Sequence, residues 1–142
     1  MADQPNFLPM RFIIFHIHPV SAKLCFLLSQ EKSLCLPEPL PKLSDICEDS
    51  TRANPILEFP KQYLSRCSEK THLPIQFLDL EANFRMWIDT PTRVIPLYAL
   101  RFTQRTPLSV FGGSKWIQLP DCFQLRPIER EIMQAVYKWL FE

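Results

Sequence analysis

Glycine is almost missing from this chain: Gly112 and Gly113 are its only two, in 142 residues. Backbone that approaches a phosphate closely uses glycine, because no Cβ is in the way. A glycine-rich phosphate cradle is therefore excluded. Phe111-Gly112-Gly113-Ser114-Lys115 lacks the spacing of a P-loop and reads as a turn. Charge of one sign is missing too. Sixteen Lys and Arg face fifteen Asp and Glu, for a net charge of +1. Nucleic-acid binders carry a basic excess, so nucleic acid is not an expected partner. The five cysteines, Cys25, Cys35, Cys47, Cys67 and Cys122, are odd in number and have no paired spacing. They read as reduced thiols in a cytoplasmic setting, not as a disulfide framework. A long apolar run is also lacking. Phe12 to Leu28 is interrupted by His16, His18, Pro19 and Lys23, so it falls short of the roughly 20 apolar residues that span a bilayer. It has neither a basic n-region nor a small-residue cleavage site. The expectation is a soluble, cytoplasmic protein with no membrane partner.

Proline, by contrast, is abundant. Fourteen prolines are roughly twice the average share, so the connections are stiff. Hydrophobic residues make up 46% of the chain, which excludes a disordered one. The length fits one domain over residues 1–142, with 1–10 as a loose lead-in.

Periodicity places the elements. Arg11 to His18 and Lys23 to Ser29 read as strands, the first nearly continuous in apolar residues as a central strand is. Ser33 to Leu36 reads as a short extended piece. Leu43, Ile46 and Cys47 have the spacing of a short amphipathic helix after the connector Pro37-Glu38-Pro39-Leu40-Pro41. Ile56, Pro60, Tyr63, Leu64 and Cys67 form a helical stripe, with Asn54 as N-cap and the main helix from about Pro60 to Leu73. Ile75 to Asp79 reads as extended. Asn83 to Asp89 and Val94 to Thr103 form a hairpin across Thr90-Pro91-Thr92-Arg93. Pro96 suggests that the second strand is an edge or carries a bulge. Lys115 to Leu119 is a last short strand. Pro127 to Phe141 is a helix with Glu129 and Glu131 in its first turn and a stripe of Ile128, Ile132, Val136, Trp139 and Leu140.

Chemistry-bearing residues are few. His16 and His18 share a strand face as half of a metal site would, but no third ligand follows by spacing. Cys25 and Cys67 lie on apolar faces, which leaves Cys122 as the loop cysteine to consider as a nucleophile. No glycine-flanked serine elbow is present. Arg85, Trp87 and Asp89 share one strand face, with Arg101 on the partner strand. Arg85, Trp87 and Arg101 are the candidate ligand-binding residues, for an anionic or planar ligand.

The order of strands, helix, strands and C-terminal helix resembles the Nudix fold over roughly Arg11 to Phe141. Trp116-Ile117-Gln118-Leu119-Pro120-Asp121 is similar to the tryptophan-containing segment that often precedes the last Nudix helix. The Nudix box has a core of Arg-Glu-apolar-any-Glu-Glu-any-Gly-apolar. Closed at Leu73, it lies on Ser65 to Leu73. Cys67 and Leu73 then fill the apolar places. Of the three metal-holding carboxylates only Glu69 remains, with Arg66 and Lys70 in the other two. The upstream glutamate falls on Leu57, next to Glu58, and the box glycines are missing. Eleven helical residues would separate Glu58 from Glu69 by about 16 Å.

The resemblance implies an α+β fold, a mixed β-sheet flanked by helices as a Nudix-like α/β/α sandwich. The expected function is a catalytically degenerate Nudix-like domain that binds a small phosphorylated ligand or a protein partner, without a cofactor. Self-association into a homo-oligomer is compatible with it. The alternative is a magnesium-dependent hydrolase of a nucleotide or other phosphorylated substrate. Its candidate catalytic residues are Glu69 and Glu81, and its candidate metal ligands are Glu58, Glu69 and Glu129.

Overall fold

A computed structural model of the chain describes residues 10–47, 61–104 and 114–142. The Asn54 cap, Glu58 and the Gly112-Gly113 turn lie outside them. The strands are β1 (Arg11–Ile17), β2 (Leu24–Leu28), β3 (Asp45–Ile46), β4 (Leu78–Asp89), β5 (Val94–Phe102) and β6 (Lys115–Ile117). They form one sheet in the order β3-β4-β5-β1-β2-β6. β1 and β5 run parallel, and the other pairs are antiparallel. The helices are α1 (Lys61–Thr71) and α2 (Pro127–Phe141).

The apolar run of β1 explains the layering. Phe12, Ile13, Ile14 and Phe15 are all fully buried, so both faces of this strand must be covered. Ile13 and Phe15 belong to the core that Ile128, Ile132, Met133 and Val136 of α2 complete, with Phe26, Leu97 and Ala99 beside them. Phe12 and Ile14 belong to the opposite core, with Leu27, Tyr98, Leu100 and Phe102, closed by Leu64 and Cys67 of α1. A helix therefore lies on each side of a mixed sheet, as an α/β/α sandwich requires.

Several expectations are corrected. Asp45–Ile46 pairs with Asp89 and Ile88 as β3, so Leu43 to Cys47 is not a helix. Leu43 is 74% exposed, so it starts no buried stripe. Ser33 to Leu36 supplies only one bridge, Leu36 to Phe12. Ile75–Phe77 is a 3-10 turn that leads into β4. β5 is central, between β4 and β1, and the register shift lies in β4 between Leu80 and Arg85. Pro96 is tolerated because β1 begins to pair only at Leu97.

Between β2 and β3 the chain runs over the end of the sheet, with a cis Leu36–Pro37 bond. Three cations donate to its carbonyls. Arg11 reaches Pro39 O at 3.3 Å and Lys70 reaches Pro37 O. Arg126, just before α2, reaches Leu40 O at 3.0 Å and Pro41 O at 3.1 Å. Glu129 does the converse. Its carboxylate is fully buried and accepts from Ser33 Oγ at 2.7 Å and from Leu34 N at 2.9 Å.

Glu129→Ala leaves the Ser33 hydroxyl and Leu34 amide buried without an acceptor, a loss of about 3 kcal/mol. Glu131→Ala, on the exposed side of the same helix, should stay within about 0.5 kcal/mol of wild type. Urea unfolding of the two variants checks this. Equal midpoints would refute the role given to Glu129.

Candidate functional site

α1 buries Leu64, Cys67 and Thr71 and turns Ser65, Arg66 and Glu69 outward. Its spacing therefore puts Arg66, Glu69 and Lys70 on one side as i, i+3 and i, i+4 neighbours. That side faces Pro37 and Glu38, and together these residues line a cleft of about 300 Å³. Lys70 Nζ is 2.9 Å from Glu31 Oε1. Glu38 Oε1 accepts from Arg11 Nη2 at 3.3 Å. Burial lowers the Arg11 pKa and the Glu38 charge opposes that shift. Arg66 is exposed and has no ion-pair partner among the described residues.

The end of α1 has a backbone feature that matters for the box alignment. His72 has φ 65°, in the left-handed region that a Cβ makes costly. It occupies the place of the box glycine when Leu73 closes the box. The turn is held by His72 N to Ser68 O at 2.8 Å and by Ser68 Oγ to Leu73 O at 2.6 Å. The backbone thus makes the turn that a glycine would favour, with a histidine in its place.

The other candidate residues are dispersed. Glu81 accepts from Arg101 Nε at 3.0 Å, and the Arg101 guanidinium lies 5.1 Å from the Phe15 ring centroid. Phe15 belongs to the α2 face, so Glu81 and Arg101 are on that side. Arg85 pairs with Tyr98, and Trp87 with Pro96. Tyr98 and Arg101 are three residues apart on one strand, hence on opposite faces. The structure therefore keeps Arg85 with Trp87 and separates both from Arg101. Glu129 is enclosed by the β2–β3 loop on the α2 side, among residues of the core opposite to the one that α1 closes. His16 is 1% exposed, with Nε2 2.8 Å from Gln104 O. His18 Nδ1 accepts from Val20 N and Ser21 N, each at 3.2 Å. His18 is thus committed to its own turn, whereas the other His16 nitrogen, Nδ1, is buried without a partner among the described residues. Glu38 and Glu31 were missed by sequence reasoning. Nothing in the spacing brings a loop carboxylate to a helix thirty residues on.

Magnesium, which the Nudix fold implies for a hydrolase, needs several hard oxygen donors converging on one point. Among the described residues no group of three or more His, Cys, Asp or Glu could hold a metal ion. At the cleft, Glu69 stands beside Arg66 and Lys70, Glu38 serves Arg11, and Glu31 serves Lys70. The described donors at the cleft do not by themselves fit magnesium.

None of the thiols is disulfide-bonded. Burial raises the Cys67 pKa to about 12. Burial, then the charge of Glu129, pushes the Cys35 thiol up further. Burial also raises Cys25, against the pull of Lys23. Cys122, the loop cysteine considered as a nucleophile, is half-buried in a 3-10 turn, Leu119–Gln124.

No model of a known protein family matches the chain, and no curated protein matches its sequence. Two crystal structures of a C. elegans Ap4A hydrolase, a Nudix enzyme, do match its fold. The first, a binary complex, is 12% identical with a TM-score of 0.58, over 91% of this chain and 95% of that one. The second is 12% identical with a TM-score of 0.55, over 94% and 99%. The chain has a Nudix-like fold. No helix among the described residues is long and apolar enough to cross a membrane.

The buried thiols give a direct test. At pH 8, a thiol reagent should titrate Cys122 and Cys47 in the folded protein and spare Cys35 and Cys67 until the chain unfolds. The folded chain keeps a proton on Cys67 that the unfolded chain releases near the ordinary 9.0. Stability from this group is therefore full below about pH 9 and falls as pH rises toward 12. Modification of Cys67 as fast as Cys122 would contradict the burial described.

Proposed function

We propose that this Nudix-like domain binds a small phosphorylated ligand in the α1 cleft and does not hydrolyse it. The observation that carries this reading is the pair Arg66 and Lys70 lining the cleft beside Pro37 and Glu38, at two places where the Nudix box has carboxylates. Cations there attract a phosphate directly, in the role a metal plays in pyrophosphate chemistry. Arg66, exposed and without an ion-pair partner among the described residues, can make a two-pronged contact with phosphate oxygens. Lys70 offers a point charge, already drawn into the cleft by Pro37 O and Glu31. The same pair supports catalytic degeneracy, since among the described residues of the cleft one glutamate beside two cations does not assemble a magnesium cluster.

The second reading is a metal-dependent hydrolase of a nucleotide or similar phosphorylated substrate. The fold match to a C. elegans Ap4A hydrolase favours it. Glu69 is then the residue in the cleft to act, and Glu81 is tied to Arg101 on the other face.

The test is a panel of Ap4A, ATP and ADP with magnesium or manganese, read for hydrolysis and for thermal stabilisation. The expected outcome is stabilisation without turnover. The Arg66→Gln/Lys70→Gln variant should weaken binding by about a hundredfold, as loss of two charge-assisted contacts implies. Turnover that Glu69→Gln abolishes would establish the hydrolase reading instead. Neither binding nor turnover would refute both.

A further inference from the structure

Arg85 is held by rings. Its guanidinium carbon lies 5.9 Å from the Trp87 ring centroid and 5.7 Å from that of Tyr98. Both distances are within the range in which a guanidinium is attracted to a ring face. The strand geometry produces this arrangement. Trp87 is two residues along the same face of β4, and Tyr98 is the direct cross-strand partner. The Tyr98 ring is itself stacked on Phe12, at 5.7 Å and 29°, and Phe12 is fully buried. The aromatic support is thus anchored in the core, while Arg85 is exposed and Trp87 half-buried.

The N–H donors of Arg85 are unspent among the described residues. Arg11, Arg101 and Arg126 each donate to a protein oxygen. Arg85 has no such acceptor among the described residues. A guanidinium that packs against rings keeps its planar edge of paired donors available, and its planar fork loses little freedom per hydrogen bond formed. Two parallel N–H groups fit the two oxygens of a carboxylate or phosphate. Arg101, the other arginine considered for ligand binding, lies on the opposite face and is neutralised by Glu81.

We propose that Arg85, stacked on Trp87 and Tyr98, is a second anion-binding site that takes the carboxylate or phosphate group of a small molecule. It is separate from the α1 cleft. Tyr98, Phe12 and Leu36, all buried, lie in a row between Arg85 and Pro37. The proposal therefore does not depend on what the cleft binds.

The experiment is titration of the full chain with inorganic phosphate and, in a parallel arm, with acetate, followed by tryptophan fluorescence. Binding should change the emission, and Trp87→Phe should remove that change, which assigns it to Trp87 and not to Trp116 or Trp139. Arg85→Gln should weaken the response by about tenfold or more, since both charge and fork are lost. Arg85→Lys, which keeps the charge alone, should fall between the two. Stabilisation by Ap4A reads the α1 cleft and this emission reads Trp87, so the two sites fail or stand separately. A response in one arm only supports the site and identifies the group. No response in either arm, or one that survives Arg85→Gln or Trp87→Phe, overturns the proposal.

Discussion

The proline loop between β2 and β3 sets the constraint that the rest of the structure meets. Prolines at 37, 39 and 41 bring carbonyl acceptors without amide donors. Such a segment cannot pair with itself or complete a sheet edge. Its carbonyls must be satisfied from elsewhere or stay wet, because a buried orphan is costly. Three cations supply the donors: Arg11 from β1, Lys70 from α1 and Arg126 from the entry to α2. Just ahead of the prolines the need is reversed, and Glu129 accepts from Ser33 and Leu34. The loop is therefore the joint through which both helices are fixed to one end of the sheet.

That joint also shapes the cleft. Pro37 is part of its wall, and the side chain that caps the Pro37 carbonyl, Lys70, is also a lining cation. In the proposed reading, Lys70 thus serves both structure and recognition. The nearby ion pairs, Lys70 with Glu31 and Arg11 with Glu38, include half-exposed partners and add little stability. Their effect is positional, since they hold charges of both signs at the cleft's rim. His72 extends the point to the backbone. The left-handed turn after α1 persists at φ 65° although its residue is not glycine. A fold can keep the path of its chain while the side chains along it change, and so fold alone does not fix chemistry.

Long, strongly patterned elements were legible in the sequence for physical reasons. β1 is buried on both faces and reads as a continuous apolar run. The β4–β5 hairpin alternates, and α2 begins at Pro127 with its stripe intact. Asp45–Ile46 was not legible, because two residues carry no period and Leu43 lent the segment a false one. Glu129 looked like an ordinary first-turn acid favoured by the helix dipole. Its burial depends on a loop almost a hundred residues earlier, which no local pattern encodes. For the same reason the outer face of α1 could be read as charged, but not as one wall of a cleft.

The arginines divide according to which side of the sheet they serve. On the α2 side, Arg101 meets Glu81 across neighbouring strands. Arg11 and Arg126 are used up on loop carbonyls. On the α1 side, Arg66 and Arg85 have no acceptor among the described residues. The β4 irregularity between Leu80 and Arg85 helps produce this division. A bulge inserts residues on one strand and resets which side chains face which side beyond it. Glu81, next to Leu80, faces with Arg101, whereas Arg85, past the shift, faces with Tyr98. Without that reset, the parity of β4 would still place residues 81 and 85 on one face, and Glu81's neighbourhood would extend to Arg85. Instead the carboxylate neutralises the arginine on one face, and the other face keeps its cation against aromatic rings, with no acceptor among the described residues.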